Sequence, residues 1–336
     1  MSLILSFESS CDDTSVAILN TDYEVLVNLI SSQPEHLDFG GVLPELASRL
    51  HMKNIMHMTQ IALQKANTSL SEIDAIAVSI NPGLIGSLIV GLAFAKALAW
   101  SLQRPLITVN HLLSHIFANY IDHPDLKPPF LALVVSGGHT ELVDFKSATD
   151  FEIVGKTLDD AAGETFDKAA KLLGLGFPGG PIIDELASGG DAGFVKLPNP
   201  LPQKDNYNFS YSGLKTAIRT YIISQSPEYL QEHESDIAAS IQAAIIRPLI
   251  SKTIRKAREL HHRQILIAGG VAANSALRVE LLQQAAKYDI KVFFPSLKLC
   301  MDNAAMVAAA AIPKFKAGLF ADLSVNANSI KGTKLL

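Results

Sequence analysis

The chain has 336 residues, 48% of them hydrophobic, and carries 28 basic against 33 acidic side chains for a net charge of −5. Two ordinary domains fit that length, and the apolar share excludes a disordered chain. The acidic balance excludes a protein that coats nucleic acid with its whole surface, so any RNA contact needs a local patch or a partner protein. Two cysteines, Cys11 and Cys300, make no disulfide framework and suit a reducing, cytoplasmic setting.

The first run, Leu3-Ile-Leu-Ser-Phe7, has no basic residue before it and is followed at once by Glu8, Asp12 and Asp13, so it predicts a strand and not a signal peptide. A polar turn, Glu8 to Thr14, leads to a second strand, Ser15–Leu19. The same design returns at Leu131–Val135, Ser136-Gly-Gly-His-Thr140 and Glu141–Phe145. A strand–turn–strand unit met twice suggests internal duplication. Between the copies lie an amphipathic helix from about Leu43 to Lys65, a strand at Ala75–Ser79, and the apolar stretch Ile85–Leu102. Lys96, Gly86 and Gly91 make that stretch a buried core helix and not a membrane span. A strand at Leu106–Val109 delivers His111 and His115.

The proline-bearing segment Asp122–Pro129 reads as the crossing between lobes, giving 1–121 and 122–336, with the C-terminal tail a candidate to complete the first lobe. The second half predicts a helix at Glu164–Leu173, a Gly/Pro loop at Gly174–Pro181, a polar loop at Leu197–Ser210 and long helices from Ser235 to His261. A strand at Gln264–Ala268 runs into Gly269-Gly270 and a helix near Asn274. A last strand, Lys291–Pro295, precedes Asp302 and an alanine-rich helix.

His111 and His115 lie at i and i+4, one helical face, so both imidazoles can reach one ion. A zinc peptidase of the His-Glu-x-x-His type needs a glutamate after the first histidine, and that position is Leu112. The pair therefore points to a metal that holds a substrate, not one that makes hydroxide. Asp302 as a helix N-cap would need no further explanation. As a third ligand it would complete a two-His, one-carboxylate set, which suits Fe(2+) and tolerates Zn(2+).

Ser136-Gly137-Gly138 lets backbone N–H groups approach an anion, and Gly269-Gly270 before Asn274 places a second glycine pair at a helix start. Asp12 and Asp13 read either as surface turn residues or as carboxylates facing a phosphate or metal. Asp160, Glu164 and Asp167 share one helical face, either solvated or functional. Arg247, Lys252, Arg255, Lys256, Arg258 and Arg263 read as a solvated basic strip or as an RNA-facing patch.

Together these motifs resemble the TsaD family, the tRNA N6-adenosine threonylcarbamoyltransferases. The resemblance covers nearly the whole chain. It rests on Glu8-Ser-Ser-Cys-Asp-Asp-Thr14, Gly41-Val-Leu-Pro-Glu-Leu-Ala-Ser-Arg49, Pro82-Gly-Leu-Ile-Gly-Ser87 and His111-x-x-x-His115. It continues through Val135 to Glu141, Leu158 to Lys168, Pro178-Gly-Gly-Pro181, Tyr211-Ser-Gly-Leu-Lys215, Gly269 to Asn274 and Asp302-Asn303.

It implies an α/β fold of two duplicated lobes of the actin/hexokinase/Hsp70-like (ASKHA) type with an interlobe cleft. Its implied activity is transfer of threonylcarbamoyl from threonylcarbamoyl-AMP to N6 of an adenosine in the tRNA anticodon loop, with release of AMP. By resemblance the metal ligands are His111, His115 and Asp302. The substrate-contacting positions are Val134, Val135, Ser136, Gly137, Gly138, Asp167, Gly180, Asp184 and Asn274, and Asp12 or Asp13 is placed to take the amine proton. One divalent ion, Fe(2+) before Zn(2+), and partner subunits of the TsaB and TsaE type are expected, and no membrane. The family usually has Glu where Asp13 stands, an acidic residue between the histidines, and Gly where Asn81 stands. A phosphotransferase or ATPase of the same fold, or a non-catalytic nucleotide-binding scaffold, is the alternative.

Overall fold

The computed structural model describes residues 1–39, 41–147 and 150–329. The chain divides into two compact units, Met1–Leu126 with Pro295–Leu336, and Lys127–Phe294. The division expected at 121/122 thus falls a few residues early, and the second unit ends at Phe294, not at 336. The chain after Pro295 returns to the first unit because its helix Ala304–Lys316 covers strands of that unit's sheet.

The first unit holds strands β1 (Leu3–Glu8), β2 (Thr14–Asn20), β3 (Val25–Ser31), β4 (Ile73–Asn81) and β5 (Leu106–Asn110). The second holds β6 (Phe130–Val135), β7 (Thr140–Phe145), β8 (Phe151–Lys156), β9 (Gln264–Ala268) and β10 (Lys291–Phe293). Their orders are β3-β2-β1-β4-β5 and β10-β9-β6-β7-β8. Read from the same edge these are one topology. Each unit begins with two antiparallel pairings and adds two parallel ones. This is the duplication that the repeated strand–turn–strand pattern predicts.

Strand β1 shows how the first sheet is covered on both faces. Successive side chains alternate between faces, so Leu5 and Phe7 join the core formed with Ile55, Met58 and Leu92 from the helices Pro44–Lys65 and Ile85–Leu102. Ser6, between them, faces the other way and donates to the carbonyl of Ala304 at 2.7 Å. Strands buried on both faces need apolar runs, which β1, β2 and β6 supply. The edge strands β3 and β8 are mixed in polarity and partly exposed, and neither is among the strands expected from the sequence.

Two expectations are corrected. The Ile85–Leu102 helix is buried along one side only, with Ile89 52% and Trp100 74% exposed. By length and apolarity it and Glu234–Glu259 match a membrane span, but the latter is 83% buried within the protein. The Gly174–Pro181 loop gives way at Gly179 to a helix, Gly179–Leu186.

Candidate metal and ligand site

Strand β5 runs directly into the short helix His111–Phe117, whose N-cap Asn110 accepts from the amide of Leu113 at 3.1 Å. The cap fixes the first turn and with it the direction of His111. Asp302 comes from far along the chain and is placed by the start of the helix Ala304–Lys316. The Ala304 amide donates to Ser15 Oγ at 2.7 Å and that of Ala305 to Asn28 Oδ1 at 3.3 Å. Polar residues of β1, β2 and β3, Ser6, Ser15 and Asn28, thereby seat this helix. Its N-cap is Asn303, which accepts from Met306, so the capping reading of Asp302 is overturned.

Asp302 Oδ1 lies 3.1 Å from His115 Nε2 and 3.5 Å from His111 Nε2. The two rings are 4.8 Å apart and nearly perpendicular, and one ligand atom from each of the three residues falls within 4.8 Å of the others. Ligands about 2.1 Å from one ion are separated by roughly 3–3.5 Å; the two aspartate–histidine distances match, and the set is compatible with a single metal ion. The buried Glu8, at the end of β1, approaches His111 Nδ1 at 3.0 Å, and Ser10 Oγ stands 3.1 Å from the same nitrogen. A carboxylate behind a ligating histidine fixes its tautomer and raises its basicity. Burial alone would lower the His111 pKa, but the Asp302 and Glu8 carboxylates outweigh it and raise it to about 9. In the sequence Glu8 is marked only by its position at the strand end, just before the turn. The buried Nδ1 of His115 has no hydrogen-bond partner among the described residues.

The β1–β2 turn carries Asp12 and Asp13, both half-buried. Burial raises the Asp13 pKa to about 6; a hydrogen bond to Ser32 opposes the rise, and Asp302, Asp12 and Glu8 add to it. Four carboxylates thus gather around two histidines, a field that draws in a cation.

The second unit is organised differently. Asp167 accepts from the amide of Gly179 at 2.8 Å. Asp184, on the helix that Gly179 begins, accepts from both the amide and the hydroxyl of Ser275 at 2.9 and 2.8 Å. Asn274 is the N-cap of the helix Ser275–Ala286 and donates to Gln242 at 2.7 Å. Asp167, Gly180, Asp184 and Asn274 therefore belong to one connected frame, with three of the side chains already used to hold backbone. The groups left open are main-chain ones. A Cβ added at Gly137, Gly138 or Gly180 would meet nothing within 4 Å, whereas at Gly163 it would meet Ser136 O at 2.6 Å. Val134 and Val135 are buried in β6 and carry the chain to Ser136. Gly269, at φ +89°, takes the left-handed region that glycine favours and lies close against Val135.

Acidic residues beside this frame are spoken for as well. Asp159 accepts from Ser210, Tyr211 and Ser212, and Asp160 pairs with Lys215. This ties the Leu158–Lys168 motif to the Tyr211–Lys215 motif. The basic strip does not form as one face. Lys252 is buried, with its ammonium on the Asn208 carbonyl, and Arg255 and Lys256 sit over the Tyr207 ring. Arg258 covers Tyr288, and Arg263 pairs with Asp289.

A duplicated sheet with helices, carrying in its first copy a His-His-Asp set able to hold one metal ion, defines a two-lobe α/β protein of the ASKHA type. Solved structures share the fold over most of the chain. A HypF from T. kodakarensis matches 95% of this chain and 48% of its own, with a TM-score of 0.64 at 14% identity. Component A of the Acidaminococcus fermentans (R)-2-hydroxyglutaryl-CoA dehydratase matches 94% and 99%, at 0.56 and 15%.

Sequence relatives are far closer. The family model for TsaD, tRNA N6-adenosine threonylcarbamoyltransferase, matches residues 24–309. Proteins of that name from Thermosipho africanus and Clostridium perfringens are each 48% identical over 97% of this chain, and over 98% and 96% of their own lengths. The chain belongs to the TsaD family.

Proposed function

We propose that this protein transfers the threonylcarbamoyl group of threonylcarbamoyl-AMP to N6 of an adenosine in the tRNA anticodon loop and releases AMP. The observation that carries the reading is the His111–His115–Asp302 set, backed by Glu8, in a chain of this family. Such a set has no task in a sugar kinase or ATPase of the same fold, where magnesium is held mainly by water and carboxylates.

In this reading a divalent ion, Fe(2+) before Zn(2+), supplies Lewis acidity toward phosphate and carbonyl oxygens when bound to His111, His115 and Asp302. The amides of Gly137 and Gly138, with the uncrowded space at Gly180, hold the adenylate, and the Asp167–Asp184–Asn274 frame keeps those loops in place. The adenosine N6 attacks the carbamoyl carbon, the bond to the phosphate oxygen breaks, and AMP leaves. Asp12 or Asp13 takes the proton that N6 loses. Asp13 is the stronger candidate, because burial and neighbouring carboxylates make it the better base.

Transfer to tRNA also requires an RNA-binding surface. A net charge of −5 and a basic strip engaged with its own tyrosines favour partner subunits, of the TsaB and TsaE type, that complete it in the cytoplasm. The test is AMP release from threonylcarbamoyl-AMP, measured with and without tRNA in the presence of partners. Release that depends on tRNA is expected; release of equal rate without tRNA would reduce the activity to donor hydrolysis.

A further inference from the structure

His51 lies on the helix Pro44–Lys65 and is fully buried. It stands two residues past the Gly41–Arg49 motif, and the proposed reaction makes no use of it. Its two ring nitrogens meet the two ends of one short segment. Nε2 is 2.9 Å from the carbonyl of Cys11, and Nδ1 is 2.8 Å from the hydroxyl of Thr14. Between those contacts stand Asp12 and Asp13. A carbonyl can only accept, so Nε2 carries the hydrogen and the Cys11 carbonyl receives it. Nδ1 is then the acceptor, and Thr14 donates to it. One neutral imidazole thus satisfies both groups.

The rest of the turn is fixed on its other side. Ser9 donates to the Ser87 carbonyl at 3.0 Å, and the Ser10 carbonyl accepts from the amide of Leu84 at 2.8 Å. Ser9 and Ser10 are therefore set by the segment that opens the Ile85–Leu102 helix, and Cys11 to Thr14 by His51. Asp12 and Asp13 point from the span that His51 closes.

We infer that His51 is a positioning residue, which holds the Asp12–Asp13 turn in the conformation that proton removal from the attacking amine requires. The inference rests on the reading of those carboxylates as the base. His51 makes no contact with the reacting atoms in this scheme; it acts through the backbone between Cys11 and Thr14. A misplacement of about 1 Å at a reacting group costs on the order of a hundredfold in rate. Loss of the clamp should therefore appear in kcat, while the donor, held by the glycine turns, keeps its KM.

The experiment uses the full chain, metal-loaded, with threonylcarbamoyl-AMP, tRNA and partner subunits. His51→Leu removes both hydrogen bonds, Thr14→Val removes one without touching the imidazole, and His51→Gln keeps a donor for the Cys11 carbonyl. His51→Leu should lower kcat roughly 10–100-fold and Thr14→Val by a smaller factor. Donor KM should stay within about twofold and metal content unchanged, and His51→Gln should recover most of the loss. In an Asp13→Asn background, His51→Leu should cost less than about twofold more, since residues acting through one group are not additive.

Wild-type kcat in folded His51→Leu would overturn the inference, as would a loss that merely follows metal content. If His51→Leu does not fold, wild-type kcat in Thr14→Val overturns it. Two further results separate this inference from the reading beneath it. Inactive Asp12→Asn, Asp13→Asn protein beside a fully active His51→Leu refutes the clamp alone. Wild-type turnover by the double asparagine variant refutes the base, and the clamp with it.

Discussion

The two units share one topology and treat their acidic residues in opposite ways. In the second, Asp167, Asp184 and Asp159 are spent on amides and hydroxyls of nearby loops. In the first, Glu8 and Asp302 face two histidines, and burial, with the Asp302, Asp12 and Glu8 carboxylates adding to it, raises the pKa of Asp13 to about 6. A duplicated frame has diverged into a half that presents charged side chains and a half that presents backbone. The difference leaves uncrowded backbone at Gly137, Gly138 and Gly180 in one half and a histidine–aspartate set able to hold a metal ion in the other.

That contrast is broken most severely by Asp302→Ala or His115→Ala. Either should strip bound metal, read by elemental analysis of the purified protein, and lower transfer by at least about a hundredfold while the thermal melt stays close to wild type. Glu8→Gln keeps all three ligands and removes only the charge behind His111, so metal affinity should fall about 10–100-fold. Full metal content in Asp302→Ala would take that residue out of the site.

A smaller effect is expected in the second unit. Gly137→Val has open space around its side chain and should fold normally, yet AMP affinity by calorimetry should drop about tenfold as the backbone becomes inaccessible. Gly163→Val, whose side chain would strike Ser136, should instead lower the melting temperature. Equal stability of the two variants would contradict the packing assigned to the turn.

The smallest effect is on stability. Asp13 has a folded-state pKa of about 6 against an ordinary 3.8, so the folded protein prefers the protonated acid. Its ionised form therefore costs stability above pH 6, and the cost disappears as pH falls toward 4. Asp13→Asn should be more stable than wild type at pH 8 by about 1–2 kcal/mol, allowing for solvent screening, and equal to it near pH 4. Denaturant titrations at both pH values check the sign.

Much of this was legible in the residues. The repeated strand–turn–strand pattern predicted the duplication, and the i, i+4 histidines predicted one face. The order of motifs pointed to the family. Two things were hidden. Edge strands β3 and β8 carry mixed polarity because one side of each meets solvent, so their alternation is blurred. Long-range placement left no local trace either: only the fold shows that Ser6, Ser15 and Asn28 seat the helix that brings Asp302 to the histidines. The same holds for Glu8 behind His111 and for His51 behind the acidic turn, since a second layer of contacts has no spacing rule. The basic strip stays open between a solvated surface and an RNA-facing patch in the sequence, because charge density reports only which residues crowd together. It does not report that Tyr207 and the Asn206–Asn208 loop engage Lys252, Arg255 and Lys256.

The central claim is that both units serve one transfer to tRNA adenosine. Mass spectrometry of nucleosides from tRNA incubated with the metal-loaded protein, threonylcarbamoyl-AMP and partner subunits tests it most directly. The account predicts adenosine carrying one threonylcarbamoyl group, formed by wild type and absent with Asp302→Ala. Unmodified adenosine throughout, with the donor intact and metal bound, would contradict it.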